Sequence, residues 1–147
     1  MAELLPQSDP TATWQRTVLI VDDEDLVRAM VSRSLREDGY HVMQACHGAA
    51  ALSLLETDAP RIGLVICDLV MPSLGGREVS EWMKEHCPDL PLLFISGYPR
   101  AYLEANHLYD PSVPMLRKPF LPSKLLESVQ ELLADRRAPS RRRVEGI

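Results

Sequence analysis

No apolar run in the chain approaches the roughly 18 residues that a membrane-spanning helix needs, so a soluble protein without a bilayer span is expected. The N-terminus also lacks a basic segment leading into an apolar stretch. Glu3, Pro6, Asp9 and Pro10 stand there instead, so no secretory leader is read and the cytoplasm is the expected location. Cysteine is scarce: Cys46, Cys67 and Cys87 are odd in number and widely spaced, which argues against a disulfide framework and against a zinc site of paired spacing. They are expected to be reduced, mostly buried thiols. Cys67 directly precedes Asp68 and by strand alternation points to the opposite face, a packing position. His41, His47, His86 and His107 never share a helical face at ligand spacing and are read as solvated or half-buried side chains. Past residue 135 no helix-turn-helix pattern follows, and the remaining tail is too short to house one.

What is present is the composition of an ordinary globular domain: 147 residues, 46% hydrophobic and 25% charged, enough chain to bury a core without disulfides or structural metal. The net charge of −5 hides an asymmetry, because the segment from Arg136 to Ile147 holds five arginines and one glutamate. The rest keeps 11 basic and 20 acidic residues and is near −9. So acidic a body is ill suited to nucleic acid, and direct DNA binding is not expected.

Residues 1–16 lack periodicity and are rich in Pro, Ser, Thr and Asp, reading as a disordered lead-in or linker. The domain is expected over 17–135, with 136–147 a basic tail or linker. After a first strand ending at Val21, Leu26, Val27, Met30, Val31 and Leu35 recur at helical spacing, with Gly39 as the stop. Strands are predicted at 40–46, 62–67, 91–95 and 113–117. Helices are predicted at 49–55, around Val79, Trp82 and Met83, at 102–108 and at 121–133. The alternation of strand and helix predicts an α/β fold with a parallel sheet covered on both faces.

Four apolar runs end in residues able to handle a phosphoryl group or its metal: Asp22 and Asp23, Asp68, Ser96, and Lys118. In a doubly wound, five-stranded sheet of order 2-1-3-4-5, strands one and three lie about 4.8 Å apart, so the three aspartates converge at the switch point. Several carboxylates in one cleft call for a hard cation, Mg²⁺ first and Mn²⁺ as a substitute. Asp68, alone at the centre, is the candidate nucleophile for an acyl phosphate. Ser96, on the neighbouring strand, reaches an oxygen carried by that carboxylate. Lys118 must span about 10 Å of strand spacing, which suits a long side chain. Glu24 and Asp25 are read as favourable charges in the first turn of the first helix rather than as metal ligands. The Lys118-Pro119 bond is a candidate for the cis form.

The segments Val21-Asp22-Asp23-Glu24, Cys67-Asp68-Leu69-Val70-Met71-Pro72, Ser96-Gly97-Tyr98 and Lys118-Pro119-Phe120 resemble the receiver domain of two-component response regulators, in family order and over residues 17–135. The resemblance implies a flavodoxin-like (βα)5 fold. It also implies that Asp68 accepts a phosphoryl group from a phosphohistidine on a sensor histidine kinase or histidine phosphotransfer protein. By the same resemblance Asp22 and Asp23 form the magnesium pair with Asp68, Val70 lends a backbone carbonyl to the metal, Ser96 is the switch hydroxyl and Lys118 the lysine of the motif. An unknown downstream protein, or a second copy, would read the surface of the fourth helix, fifth strand and fifth helix. The wording around Ser96 and Lys118 is similar to receivers of hybrid sensor kinases. One departure is Met115, at a switch position usually aromatic in the family, where a flexible thioether is expected to fill the space instead. Val70 and Tyr98, each two residues beyond a site residue, are expected to shield an acyl phosphate from water.

Two other readings meet specific objections. Asp23-Glu24-Asp25-Leu26-Val27 fits the Asp-x-Asp-x-Val nucleophile motif of haloacid-dehalogenase-like phosphatases, but residues 119–124 supply no further acid for its metal, and Asp68 is left without a task. A receiver-like interaction module working without phosphorylation would not need the full set of acids and lysine.

Overall fold

The computed structural model describes residues 16–136, and all that follows concerns those residues. The expected lead-in and basic tail therefore lie outside them, except for Arg16 and the backbone of Arg136. Strands and helices alternate: β1 (Thr17–Val21), α1 (Asp25–Glu37), β2 (His41–Ala45), α2 (Gly48–Asp58), β3 (Leu64–Asp68), α3 (Gly76–His86), β4 (Leu92–Ser96), α4 (Arg100–Ala105), β5 (Met115–Arg117) and α5 (Pro122–Arg136). The five strands form one sheet in the order β2-β1-β3-β4-β5. Every pairing is parallel, as the doubly wound fold requires.

Strand alternation sorts the apolar side chains into two cores. Val18, Ile20, Leu64, Ile66, Leu93, Ile95 and Leu116 face α1 and α5, which contribute Val31, Leu35, Leu125, Val129 and Leu133. Leu19, Val21, Val65, Cys67, Leu92 and Phe94 face the other way, onto Ala51, Leu55, Val79, Met83 and Leu103 of α2, α3 and α4. The continuous apolar runs of β1, β3 and β4 are buried at every position because helices cover both faces.

Several predicted boundaries shift for local reasons. Leu26, counted in the apolar stripe of α1, is 85% exposed; the stripe consists of Val31 and Leu35, with Val27 and Met30 packed beside them. Gly39 ends the α1 turn with a φ of 93°, a conformation that favours glycine. Helix α2 starts at Gly48 because the His47 imidazole accepts the Ala50 N–H at Nδ1, 3.0 Å, and a single 3-10 turn (Ala59–Arg61) carries the chain past Pro60. Helix α4 is Arg100–Ala105 rather than 102–108, since Pro99 fixes its start and His107 (φ 57°) lies beyond its end. Strand β5 holds three residues; Pro114 has no N–H to donate and joins the sheet only by accepting from Phe94 N–H, 2.9 Å. Arg16, assigned to the lead-in, is anchored to the domain. Its guanidinium donates to the carbonyls of Asp38 and Gly39 and lies 4.6 Å from the Tyr40 ring centroid.

Of the cysteines expected to be mostly buried, only Cys67 is fully so among the described residues, while Cys87 is half-buried and Cys46 exposed; all three are free thiols. Cys46 directly follows β2, the edge strand that gains cover on one side only, which the spacing of cysteines does not reveal.

Candidate functional site

The C-terminal edge of the central strands gathers a buried acidic cluster. Val21 and Cys67 are cross-strand partners, so the next residues, Asp22 and Asp68, emerge side by side. Asp22 is fully buried. Its backbone is pinned on both sides, its N–H donating to Ala45 O at 3.2 Å and its carbonyl accepting from Arg28 Nη1 at 2.8 Å. Its Oδ1 accepts the Glu24 N–H at 2.8 Å. Asp68 closes β3 at 5% exposure; its Oδ1 accepts the Val70 N–H at 3.3 Å and its Oδ2 accepts from Lys118 Nζ, also at 3.3 Å. Lys118 follows β5, held through its N–H to Ser96 O at 2.8 Å, and the Lys118-Pro119 bond is cis.

One ammonium thus serves three carboxylates. Lys118 Nζ stands 2.8 Å from Glu24 Oε1, 3.2 Å from Asp22 Oδ2 and 3.3 Å from Asp68 Oδ2. The contact to Asp22 is an ion pair, and no well-aligned hydrogen bond reaches its buried Oδ2. Burial and the charge of Asp22 push the Asp68 carboxyl up to about 6, against the pull of Lys118 and the Val70 N–H. Burial works against the Lys118 charge, but the hydrogen bond to Glu24 and the charges of Asp68 and Asp22 outweigh it and raise its pKa. Burial, with Asp68 and Asp22 nearby, keeps the Cys67 thiol protonated far above its ordinary range. The oxygens of Asp22, Glu24 and Asp68 all lie within 4.8 Å of one another. The buried Asp22 and Asp68 carboxylates at the heart of this cluster, with one Asp22 oxygen lacking a hydrogen-bond partner, make a donor pair that fits a hard divalent cation.

The membership of this cluster differs from the sequence expectation at one position. Asp23 is exposed and lines a shallow depression with Cys46, His47 and Leu74, while Glu24, assigned to the dipole of α1, reaches Lys118 instead. Glu24 is the N-cap residue of α1 yet makes no side-chain capping bond; Asp25 remains the acid of the first turn and pairs with Arg28 at 2.7 Å. Ser96 is fully buried on the strand next to Asp68, and its Oγ accepts the Tyr98 N–H at 3.0 Å. Val70 presents its N–H to Asp68, and Met115 is half-buried against the core of α2, α3 and α4.

The family model for the response regulator receiver domain matches residues 18–130. The chain belongs to the response regulator receiver family. This receiver is 31% identical over 119 residues to the response regulator receiver protein CpdR of Brucella abortus, covering 81% of the chain and 97% of CpdR. Over 117 residues it is 35% identical to the sensor kinase CckA of Brucella abortus; that match covers 80% of the chain but only 12% of the kinase. The crystal structure of the receiver domain from the hybrid histidine kinase CckA superimposes with a TM-score of 0.67 at 34% identity, covering 80% of this receiver and 98% of that chain. Receivers are regulatory domains of two-component systems whose partners are histidine kinases or phosphotransfer proteins, and they generally bind Mg²⁺.

The phosphatase reading gains no support from the geometry of this receiver. Its two motif aspartates, Asp23 and Asp25, are both exposed and stand outside the buried cluster. Arg28 was not singled out from sequence, although it ties Asp22, Asp25 and Gln44 together from the first turns of α1. An arginine three residues after an acid on a helix is its only local signal.

Proposed function

We propose that Asp68 accepts a phosphoryl group from the phosphohistidine of a sensor kinase or phosphotransfer protein, and that the resulting acyl phosphate controls which partner this receiver binds. The observation that carries this reading is the Asp68 carboxylate, buried at the centre of the sheet edge with Lys118 Nζ 3.3 Å away. An Asp68 oxygen forms the new bond to phosphorus while the phosphorus–nitrogen bond of the donor breaks, and the departing imidazole keeps that electron pair. Lys118 moves its donors onto the transferred oxygens. Ser96 trades its contact with the Tyr98 N–H for one of the same oxygens, drawing the loop after β4 inward.

A bound Mg²⁺, held by Asp22 and Asp68 with Asp23 and the Val70 carbonyl completing the set, would neutralise charge on the phosphoryl oxygens. For Asp23 that role requires its exposed carboxylate to turn inward. The surface of α4, β5 and α5 then changes and is read by a downstream protein or a second copy of the chain. Residues 17–135 carry this function.

The test is intact-mass measurement after incubation with a small phosphodonor and Mg²⁺. Wild type should gain a single phosphoryl group, while Asp68→Asn and a sample held in EDTA should gain none. Undiminished labelling of Asp68→Asn would overturn the assignment, and turnover of an added phosphomonoester would return the phosphatase reading.

A further inference from the structure

The tightest partner of Lys118 is not the proposed acceptor. Its Nζ lies 2.8 Å from Glu24 Oε1 and 3.3 Å from Asp68 Oδ2, so in the unphosphorylated protein the ammonium leans toward Glu24. Glu24 is placed for this by its own backbone. Its N–H is fixed on Asp22 Oδ1 at 2.8 Å, its carbonyl accepts from Arg28 N–H at 3.0 Å, and its side chain does no capping work for α1. The Lys118 side chain is 15% exposed and that of Glu24 60%, so their contact lies at the solvent edge of the cluster. The contact joins residues 94 apart in sequence, the start of α1 to the end of β5.

We propose that Glu24 is a positioning residue that restrains Lys118, so that phosphoryl transfer to Asp68 requires the lysine to exchange Glu24 for the incoming oxygens. This rests on Asp68 being the acceptor. Glu24 and the phosphoryl group compete for the same ammonium, and the competition sets how readily the unphosphorylated protein takes the label. Neutralising Glu24 while keeping its shape therefore speeds labelling through Lys118, whereas removing a neighbouring acid that does not touch the lysine leaves it unchanged. Asp25 is that neighbour, 86% exposed and paired with Arg28.

The experiment measures the rate of labelling of the full chain by phosphoramidate at saturating Mg²⁺, followed by intact mass against donor concentration. Glu24→Gln should raise the second-order rate about threefold to fivefold, the scale of a partly exposed ion pair. Asp25→Asn should leave it at the wild-type value. In a Lys118→Met background, however slow, Glu24→Gln should give a ratio of one. A second readout needs neither metal nor donor: in EDTA, the Tm change on Glu24→Gln should be more positive in Lys118→Met than in wild type, because only wild type loses the ion pair. An unchanged or slower Glu24→Gln, a gain shared by Asp25→Asn, or a gain that persists without Lys118 each overturns the restraint. Labelled wild type with such a result leaves the acceptor assignment standing, whereas unlabelled wild type overturns both.

Discussion

Asp68 is held ionised at a cost to the fold. Its carboxyl is raised from 3.8 to about 6, first by burial and then by Asp22. Between those values the folded chain binds more protons than the unfolded one, so this contribution to stability is largest below the unfolded pKa and is lost as pH rises through the folded one. Asp68→Asn removes the penalty. In EDTA near about pH 8, its unfolding free energy should exceed that of wild type by on the order of 1–3 kcal/mol, and the difference should close near about pH 4. Urea melts at the two pH values check it; a gap that does not depend on pH would place the effect elsewhere. Val70 and Tyr98 carry a second expectation. Val70 is half-buried with its N–H on Asp68, and Tyr98, stacked on Tyr102 at 4.8 Å between ring centroids, gives its N–H to Ser96. If these two side chains shield the acyl phosphate from water, a Val70→Asn, Tyr98→Glu double variant should lose its phosphoryl group faster than wild type in a decay measured by intact mass. Asp22, Asp68, Ser96 and Lys118 were legible in the sequence because each closes an apolar run, and a strand fixes where its last residue emerges. The direction taken by Glu24 was not, since it depends on a lysine on another element, and both capping and dipole preferences offered a local alternative.

At the level of elements, the start of α3 is pressed against the end of β3. A Cβ on Gly76 would lie 2.9 Å from the Asp68 carbonyl oxygen, 2.9 Å from Leu69 Cα and 3.1 Å from Phe94 Cε1. Gly76→Ala should therefore lower the unfolding free energy by about 1–3 kcal/mol in denaturant melts despite the better helix propensity of alanine, because backbone rather than a flexible side-chain tip must give way. An unchanged midpoint would mean that the β3–α3 junction can open at no cost. The segment between α4 and β5 is tied to α3 by Lys84 on Asp110 at 2.7 Å and by Arg77 on the His107 carbonyl. Hydrogen bonds from Lys84 and Ser112 outweigh partial burial and hold the Asp110 carboxyl down to about 2. These ties explain why α4 was misplaced from sequence: Tyr102 to Leu108 has helical composition, but His107 turns its carbonyl out of the helix toward Arg77. The helices with clear apolar stripes, α1 and α5, were legible to within a few residues, since burial against the sheet enforces their periodicity.

For the molecule as a whole, the sheet order and the parallel pairing followed from the regular alternation of elements. Which helix covers which face follows from strand alternation once the order is known. The sheet is then a wall between two separate rooms, and damage in one should go unnoticed in the other. Leu55 lies on one side and Leu125 on the other, both essentially inaccessible to solvent. Leu55→Ala and Leu125→Ala should each cost about 2–5 kcal/mol, and because they share no partner the double variant should match the two losses added together to within about 0.5 kcal/mol. Non-additivity beyond that in denaturant melts would mean that the strands transmit strain across their thickness. If the two sides are independent in this way, each half of the interior is free to drift in sequence without the other following. Across the sheet, the residues obliged to change in concert would be those at the rim, where both rooms open onto the same doorway.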